Sequence, residues 1–589
     1  MSLPADRYVR ALLGSLYQGG VRHVVIAPGS RNTPLTAALT SEGAPFRTWL
    51  HLDERSAGYF ALGLARQTGT PVAITCTSGT AAANFLPAAV EARLSRVPLV
   101  FITADRPPEA RDVGAAQTVD QVGLFGTHVK WAAELPVADI SALDELMRYA
   151  ASAGARAAAT ASEAPAGPVH LNLPFREPLI EAGDLPFGHV AQPVARSSRH
   201  AAPDAGTVAR LAAMLPGRRG LLVCGPESEG LPAEEIAALA RALGWPVVAD
   251  PLSGLRAGTH DRSLVIDSVD ALVRVPEFID GASPDVVLRF GATMTSKPFN
   301  TWLAALPNVH RVLVDPAEPS TGGWRDPDLQ ADESIAADPL LLATALTEAI
   351  AGHTPDGAWP RRWTDADATA RSALREASGA IDEPFEGQVV HDLAASLPDG
   401  ATLVAGNSMP VRDIDSFFAS TDRRVRLVGT RGASGIDGVV STAVGAAAAG
   451  TGPVALMIGD LSFLHDLNGL WPLRRYGLDL TVVLVNNNGG GIFSFLPQRQ
   501  ATPSRFDEWW GTPHGLDLAP AVALHGGRHT VIAGDEATRA SEAIADALGR
   551  PGLDVIEVRT DRERNVALHR QVWERAASAV RDALTAARV

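Results

Sequence analysis

The chain has 589 residues, room for roughly three or four domains, and 66 acidic against 51 basic side chains leave it a net charge of −15. That charge repels nucleic acid and anionic membrane surfaces, so neither is expected as a partner. No apolar run approaches the roughly 18 residues of a spanning helix and no signal-peptide pattern opens the chain. With 46% hydrophobic and 20% charged residues, the composition predicts a globular cytoplasmic protein without membrane insertion.

In chain order, short apolar runs bounded by turn residues at 24–27, 46–50, 72–75, 99–102 and 169–173 read as buried parallel strands with helices between them. A Pro- and Ala-rich linker is expected at 186–203. A second set of runs follows at 221–224, 247–249, 285–290 and 312–314. The polar stretch 356–380 then separates it from a third set at 402–405, 454–458, 481–485 and 555–558. The fold class predicted is α/β: three modules, 1–187, 204–355 and 380–589, each with a mainly parallel sheet flanked by helices. The only cysteines, Cys76 and Cys224, lie in apolar runs and read as buried thiols of a reducing compartment. In the middle module Val223-Cys224-Gly225-Pro226 ends a strand in a turn, but no full G-x-G-x-x-G follows. That module is expected to be structural, lending one or two residues to the site rather than holding a nucleotide or flavin.

The chemistry-bearing residues gather after strands, where α/β sheets place ligands. Ala27-Pro28-Gly29-Ser30-Arg31 follows the first strand; Ser30 also reads as a cap for the next helix, and Arg31 at that helix start opposes its dipole unless an anion binds there. His51-Leu52-Asp53-Glu54-Arg55 leads into a small-residue helix. Ala104-Asp105-Arg106-Pro107-Pro108 follows a further strand, with Gln117 beyond it. Asn407-Ser408-Met409-Pro410-Val411-Arg412 and Arg431-Gly432-Ala433-Ser434-Gly435-Ile436-Asp437-Gly438 follow strands of the third module. Any one of Arg31, Arg106, Arg412 and Arg431 reads alone as an ordinary ion pair. Four at strand ends point to substrates with several carboxylates, which the guanidinium fork binds bidentately.

The most specific pattern is Met457-Ile458-Gly459-Asp460-Leu461-Ser462-Phe463 with Asn486-Asn487-Asn488-Gly489-Gly490. Asp460, Asn487 and the Gly489 carbonyl form an oxygen set suited to a hard divalent ion bridging a diphosphate. This arrangement resembles the diphosphate-Mg²⁺ motif of thiamine-diphosphate enzymes, with Leu461 where the superfamily usually has a third glycine. Together with Thr77-Ser78-Gly79-Thr80 and Thr293 to Lys297, the strings resemble the family of 2-succinyl-5-enolpyruvyl-6-hydroxy-3-cyclohexene-1-carboxylate synthases of menaquinone biosynthesis. Pro298 departs from members with a basic residue there.

The resemblance implies a transferase using thiamine diphosphate with Mg²⁺ or Mn²⁺, decarboxylating 2-oxoglutarate and adding the product to isochorismate. It assigns Glu54 to activation of the cofactor's pyrimidine ring and Ile436 to wedging the cofactor bent. Gly459, Asp460, Asn487 and Gly489 fall on its diphosphate and metal, and Ser30, Arg31, Arg106, Gln117, Lys297, Ser408, Arg412, Arg431 and Phe493 on its substrates. Module membership adds an expectation of its own: Arg412 and Arg431, in the module of the diphosphate motif, mainly hold the succinyl end, while Arg31 and Arg106, in the module of Glu54, mainly orient isochorismate. A homodimer, or a tetramer of two such pairs, is expected, because such sites lie between modules of two chains. A 2-oxoacid decarboxylase or acetolactate-type enzyme, or a non-catalytic sensor, remains the alternative.

Overall fold

The computed structural model describes residues 4–180, 187, 200–317, 324–534 and 539–586. Most of the expected linker at 186–203 lies outside them.

Three six-stranded sheets form, and every neighbouring pair of strands is parallel. The first holds β1 (His23–Ile26), β2 (Arg47–Leu50), β3 (Val72–Cys76), β4 (Leu99–Asp105), β5 (Trp131–Glu134) and β6 (Val169–Pro174), ordered β2-β1-β3-β4-β6-β5. The second holds β7 (Gly220–Cys224), β8 (Val247–Ala249), β9 (Val265–Ile266), β10 (Val286–Phe290), β11 (His310–Val314) and β12 (Glu333–Ile335), ordered β12-β11-β10-β7-β8-β9. The third holds β13 (Thr402–Ala405), β14 (Arg426–Gly429), β15 (Val454–Gly459), β16 (Leu480–Asn486), β17 (Arg528–Ile532) and β18 (Leu553–Arg559), ordered β14-β13-β15-β16-β18-β17.

Helices cover both faces, which is why the central strands are apolar without alternation. β3 and β16 are buried throughout. The first and third sheets share one topology, so each has its switch point between its first and third strands, the place where such sheets bind ligands. The second sheet has the dinucleotide-binding strand order. Beyond its own switch point the backbone closes on itself, Gly225 N donating to Phe290 O and Ala292 N to Pro226 O at 2.9 and 3.0 Å.

The chain forms two compact units. The first comprises Met1–Arg199, Thr430–Thr451 and His465–Leu478; the second comprises His200–Gly429, Gly452–Leu464 and Asp479–Val589. Within the first, helix Glu54–Thr68 packs closely on helix Val439–Ala448 because Gly63 has no side chain. A Cβ there would stand 2.0 Å from the Thr442 carbonyl oxygen.

Within the second unit, the polar separator expected at 356–380 folds mostly as helix Ala358–Gly379. Its buried Trp359, Trp363, Ala366, Ala370 and Leu374 recur every three or four positions, and this stripe outweighs the charged remainder. Fully buried Arg256 joins the second and third sheets. Its Nε donates to Ala249 O at 2.8 Å, and its Nη2 pairs with the Asp415 carboxylate at 2.6 Å. Among the described residues, no helix is long and apolar enough to cross a membrane.

Candidate active site

The first unit carries seven of the expected residues. Glu54, half-buried, is the first residue of helix Glu54–Thr68. Asp53 caps that helix, its carboxylate accepting from Arg55 N at 2.9 Å and Ser56 N at 3.3 Å. At the carboxyl ends of β1, β3 and β4 the loops interlock. Arg31 N donates to Thr77 Oγ1 at 3.2 Å, Ser78 Oγ to Gln117 O at 2.9 Å, and Gln117 Nε2 back to Ser78 O at 3.3 Å. Ser30, Arg31, Arg106 and Gln117 are thus brought to one edge of the sheet.

Ser30 does not cap the following helix. Asn32 is the N-cap residue of Thr33–Leu39, and the Ser30 carbonyl accepts from Thr33 Oγ1 at 2.7 Å. Arg31 does not lie along the helix dipole either. Its buried guanidinium donates to Phe175 O at 2.9 Å and pairs with Glu177 at 3.1 Å. Burial and then the charge of Arg106 hold its pKa below the usual guanidinium range, against the pull of Glu177. The Nε atoms of Arg31 and Arg106 are both buried and lack a hydrogen-bond partner among the described residues. Two like charges near each other, with Nε donors unanswered among the described residues, suit an anion.

The segment holding Arg431 and Ile436 belongs to this unit too, whereas Arg412 belongs to the other. Buried Glu91 organises it: Oε1 accepts from Gly432 N at 3.0 Å and Oε2 from Ala433 N at 2.7 Å. Ile436 is a large apolar side chain left 36% exposed. Asp466 ties the segment's helix to the helix of Glu54, accepting from Ser441 N at 2.7 Å and from Ser56 Oγ at 3.4 Å. Burial pushes its carboxyl up to about 6.

The second unit carries the rest. Asp460 and Asn487 follow β15 and β16 at the edge beside the switch point. Asp460 Oδ2 accepts from Gly489 N at 2.8 Å and lies 3.2 Å from His514 Nε2; Oδ1 accepts from Leu461 N at 2.7 Å. Leu516 N donates to His514 Nδ1, so the ring proton sits on Nε2 and faces Asp460. Burial pushes the Asp460 carboxyl up, partly offset by these bonds. Gly489 is obligatory: its φ is +138°, and a Cβ would stand 1.9 Å from Gly511 O.

Asn487 Nδ2 donates to Glu386 Oε1 at 3.1 Å, while Asn487 Oδ1 is buried without a partner among the described residues. An unanswered amide oxygen beside a buried carboxylate and a glycine carbonyl suits a hard cation such as Mg²⁺. Among the described residues, no cluster of three or more His, Cys, Asp or Glu side chains could hold a metal ion. Gly459 ends β15, and half-buried Phe493 follows in the turn Gly491–Ser494.

Ser408 and Arg412 share one helical turn, Ser408 adopting φ +69° before Met409–Phe417 and its carbonyl accepting from Arg412 Nη1 at 2.5 Å. Lys297, exposed, starts helix Lys297–Ala305 at the end of β10. Its neighbour Ser296 donates to Asp270 Oδ1 at 2.7 Å, and Asp270 Oδ2 accepts from Ser416 Oγ at 3.5 Å. That chain of bonds links the start of the Lys297 helix to the helix carrying Arg412.

Sequence reasoning passed over Glu91, Asp466, Glu386 and His514. A lone Glu within the apolar helix Leu86–Leu94 is a signal that finds the first.

Three family models match: the thiamine pyrophosphate enzyme N-terminal TPP binding domain over residues 6–124, the middle domain over 197–404, and the C-terminal TPP binding domain over 416–558. A 2-succinyl-5-enolpyruvyl-6-hydroxy-3-cyclohexene-1-carboxylate synthase of Geobacillus kaustophilus is 47% identical across 97% of both chains. That of Chloroflexus aurantiacus is 44% identical across 98% of this chain and 97% of its own. A solved Mycobacterium smegmatis protein described as thiamin diphosphate-dependent has the same fold, with TM-score 0.70 and 22% identity over 95% of this chain and 100% of that one. This chain belongs to the 2-succinyl-5-enolpyruvyl-6-hydroxy-3-cyclohexene-1-carboxylate synthase family of thiamine pyrophosphate enzymes.

Proposed function

We propose that the chain catalyses decarboxylation of 2-oxoglutarate and conjugate addition of the resulting four-carbon unit to isochorismate, in menaquinone biosynthesis. It would work in the cytoplasm as a homodimer or a tetramer of two dimers, with domains at 1–187, 204–355 and 380–589. The observation that carries the reading is the Arg31–Arg106 pair, whose buried Nε donors, without partners among the described residues, call for carboxylates. Both proposed substrates are dianions. A plain decarboxylase or an acetolactate-type enzyme has less use for such a pair.

Thiamine diphosphate, when bound, supplies a nucleophilic carbon and a sink for the electron pair released with CO₂. Asp460, Asn487 and the Gly489 carbonyl would hold Mg²⁺ or Mn²⁺ on the diphosphate, and Gly459 leaves room beside it. Glu54 would hold a proton at its carboxyl for the pyrimidine ring nitrogen. Ile436 would press the cofactor into its bent shape. Ser30, Arg31, Arg106, Gln117, Lys297, Ser408, Arg412, Arg431 and Phe493 would orient the substrates, the arginines by paired hydrogen bonds to carboxylates.

Calorimetric titration of thiamine diphosphate with Mg²⁺ into the Asp460→Ala variant tests the metal assignment. Loss of measurable binding is expected; wild-type affinity would make the turn after β15 merely structural.

A further inference from the structure

We propose that Glu386 is a positioning residue for the metal centre, fixing which end of the Asn487 side chain meets the cation. The inference rests on the metal reading above and adds to it a residue that touches neither cation nor cofactor. An asparagine amide is nearly symmetric in shape, so its orientation is set by what its two ends meet. Glu386 Oε1 accepts from Asn487 Nδ2 at 3.1 Å. That oxygen also accepts from Thr560 Oγ1 and so has no proton to give back, and turning the amide over would set oxygen against oxygen. The bond therefore reserves Asn487 Oδ1, buried and without a partner among the described residues, for a ligand.

The amide nitrogen is confined on its other side as well. A Cβ at Gly491 would stand 2.4 Å from Asn487 Nδ2, so a glycine there leaves the side chain just enough space.

Glu386 is itself fixed. It is fully buried at the start of helix Glu386–Ser396, and the same Oε1 accepts from Thr560 Oγ1 at 2.9 Å. Alongside stands a buried pair, His569 Nε2 and Asp413 Oδ1, 3.0 Å apart, with His569 Nδ1 donating to Asn565 O at 2.9 Å. Asp413 also follows Arg412 directly in the helix Met409–Phe417. So many buried polar groups around one amide are costly to assemble unless their arrangement is used.

The test is Mn²⁺ affinity in the presence of thiamine diphosphate, read from the paramagnetic resonance of free Mn²⁺, with melting curves to check folding. Glu386→Met removes the acceptor at similar volume and should weaken Mn²⁺ binding by roughly 10- to 100-fold, the usual effect of losing a group that orients a metal ligand. Glu386→Gln, whose Oε1 can still accept from Asn487, should bind Mn²⁺ almost as the wild type does. In an Asn487→Ala background, Glu386→Met should have no further effect, because nothing is left to orient.

Wild-type affinity in Glu386→Met, or an equal loss with and without Asn487, would overturn the proposal. Wild-type affinity in Asn487→Ala alone would instead overturn the metal reading beneath it. Should Glu386→Met not fold, Asn487→Asp decides. Its carboxylate would face that of Glu386 and bind Mn²⁺ weakly, and adding Glu386→Gln should restore binding; absence of restoration counts against the proposal.

Discussion

Glu91→Gln perturbs the loop that carries Arg431 and Ile436 without touching either residue. The Glu91 carboxylate accepts from Gly432 N at 3.0 Å, Ala433 N at 2.7 Å and Ser95 Oγ at 2.5 Å. A glutamine has one oxygen, so at least one backbone N–H would face an NH₂ group and lose its partner. A hydrogen bond to a charged group is worth about 1.5–3 kcal/mol, roughly ten- to 150-fold in an equilibrium. The burial of Glu91 places the loss at the upper part of that range, since water cannot readily replace the acceptor. Cofactor binding must then also order the loop, and its apparent affinity falls by up to the same factor. Thiamine diphosphate titrations followed by tryptophan fluorescence, beside melting curves, measure both effects. Affinity within twofold of wild type in both Glu91→Gln and Glu91→Ala would refute the idea that Glu91 sets the loop.

Glu54→Gln should keep the fold but lower turnover at saturating cofactor by about 10²–10⁴-fold, the usual contribution of positioned proton transfer; steady-state kinetics check this. Arg31→Ala and Arg106→Ala should raise KM for isochorismate, and Arg412→Ala and Arg431→Ala that for 2-oxoglutarate, each by roughly ten- to 150-fold; equal effects on both substrates would end the proposed division. Asp466 is held protonated more readily in the fold than in the unfolded chain, burial raising its pKa from 3.8 to about 6. The folded state therefore binds the extra proton, and stability falls as pH rises through that window, by about 3 kcal/mol for two pKa units. Asp466→Asn should flatten that fall in urea unfolding measured between pH 4 and pH 7.

The approach of Asp460 to the turn after Asn487 was legible because Asp460 and Asn487 each follow or end a short apolar run, and a carboxylate or amide in that position has few structural reasons to be there. The central strands were legible for the same reason: β3, β4 and β16 are buried on both faces. The edge strands were not. β5 alternates half-buried and exposed residues, and β17 begins Arg528-His529, so neither forms an apolar run. Helix Ala358–Gly379 was hidden by its charged face. Glu91, Asp466 and Glu386 were hidden for a deeper reason. A buried carboxylate and a solvated one are the same letter, and only partners such as Gly432, Ser441 and Asn487, far along the chain, distinguish them. Arg431 was grouped with Arg412 by position after β14, yet its segment packs into the unit of Glu54 through Glu91 and Gly63.

The most direct test of the function is to incubate the purified protein with thiamine diphosphate, Mg²⁺, 2-oxoglutarate and isochorismate and to identify the product by mass. The account predicts 2-succinyl-5-enolpyruvyl-6-hydroxy-3-cyclohexene-1-carboxylate, formed only when both substrates are present and absent with Glu54→Gln. Release of CO₂ and succinic semialdehyde at the same rate with or without isochorismate, and no adduct, would contradict it.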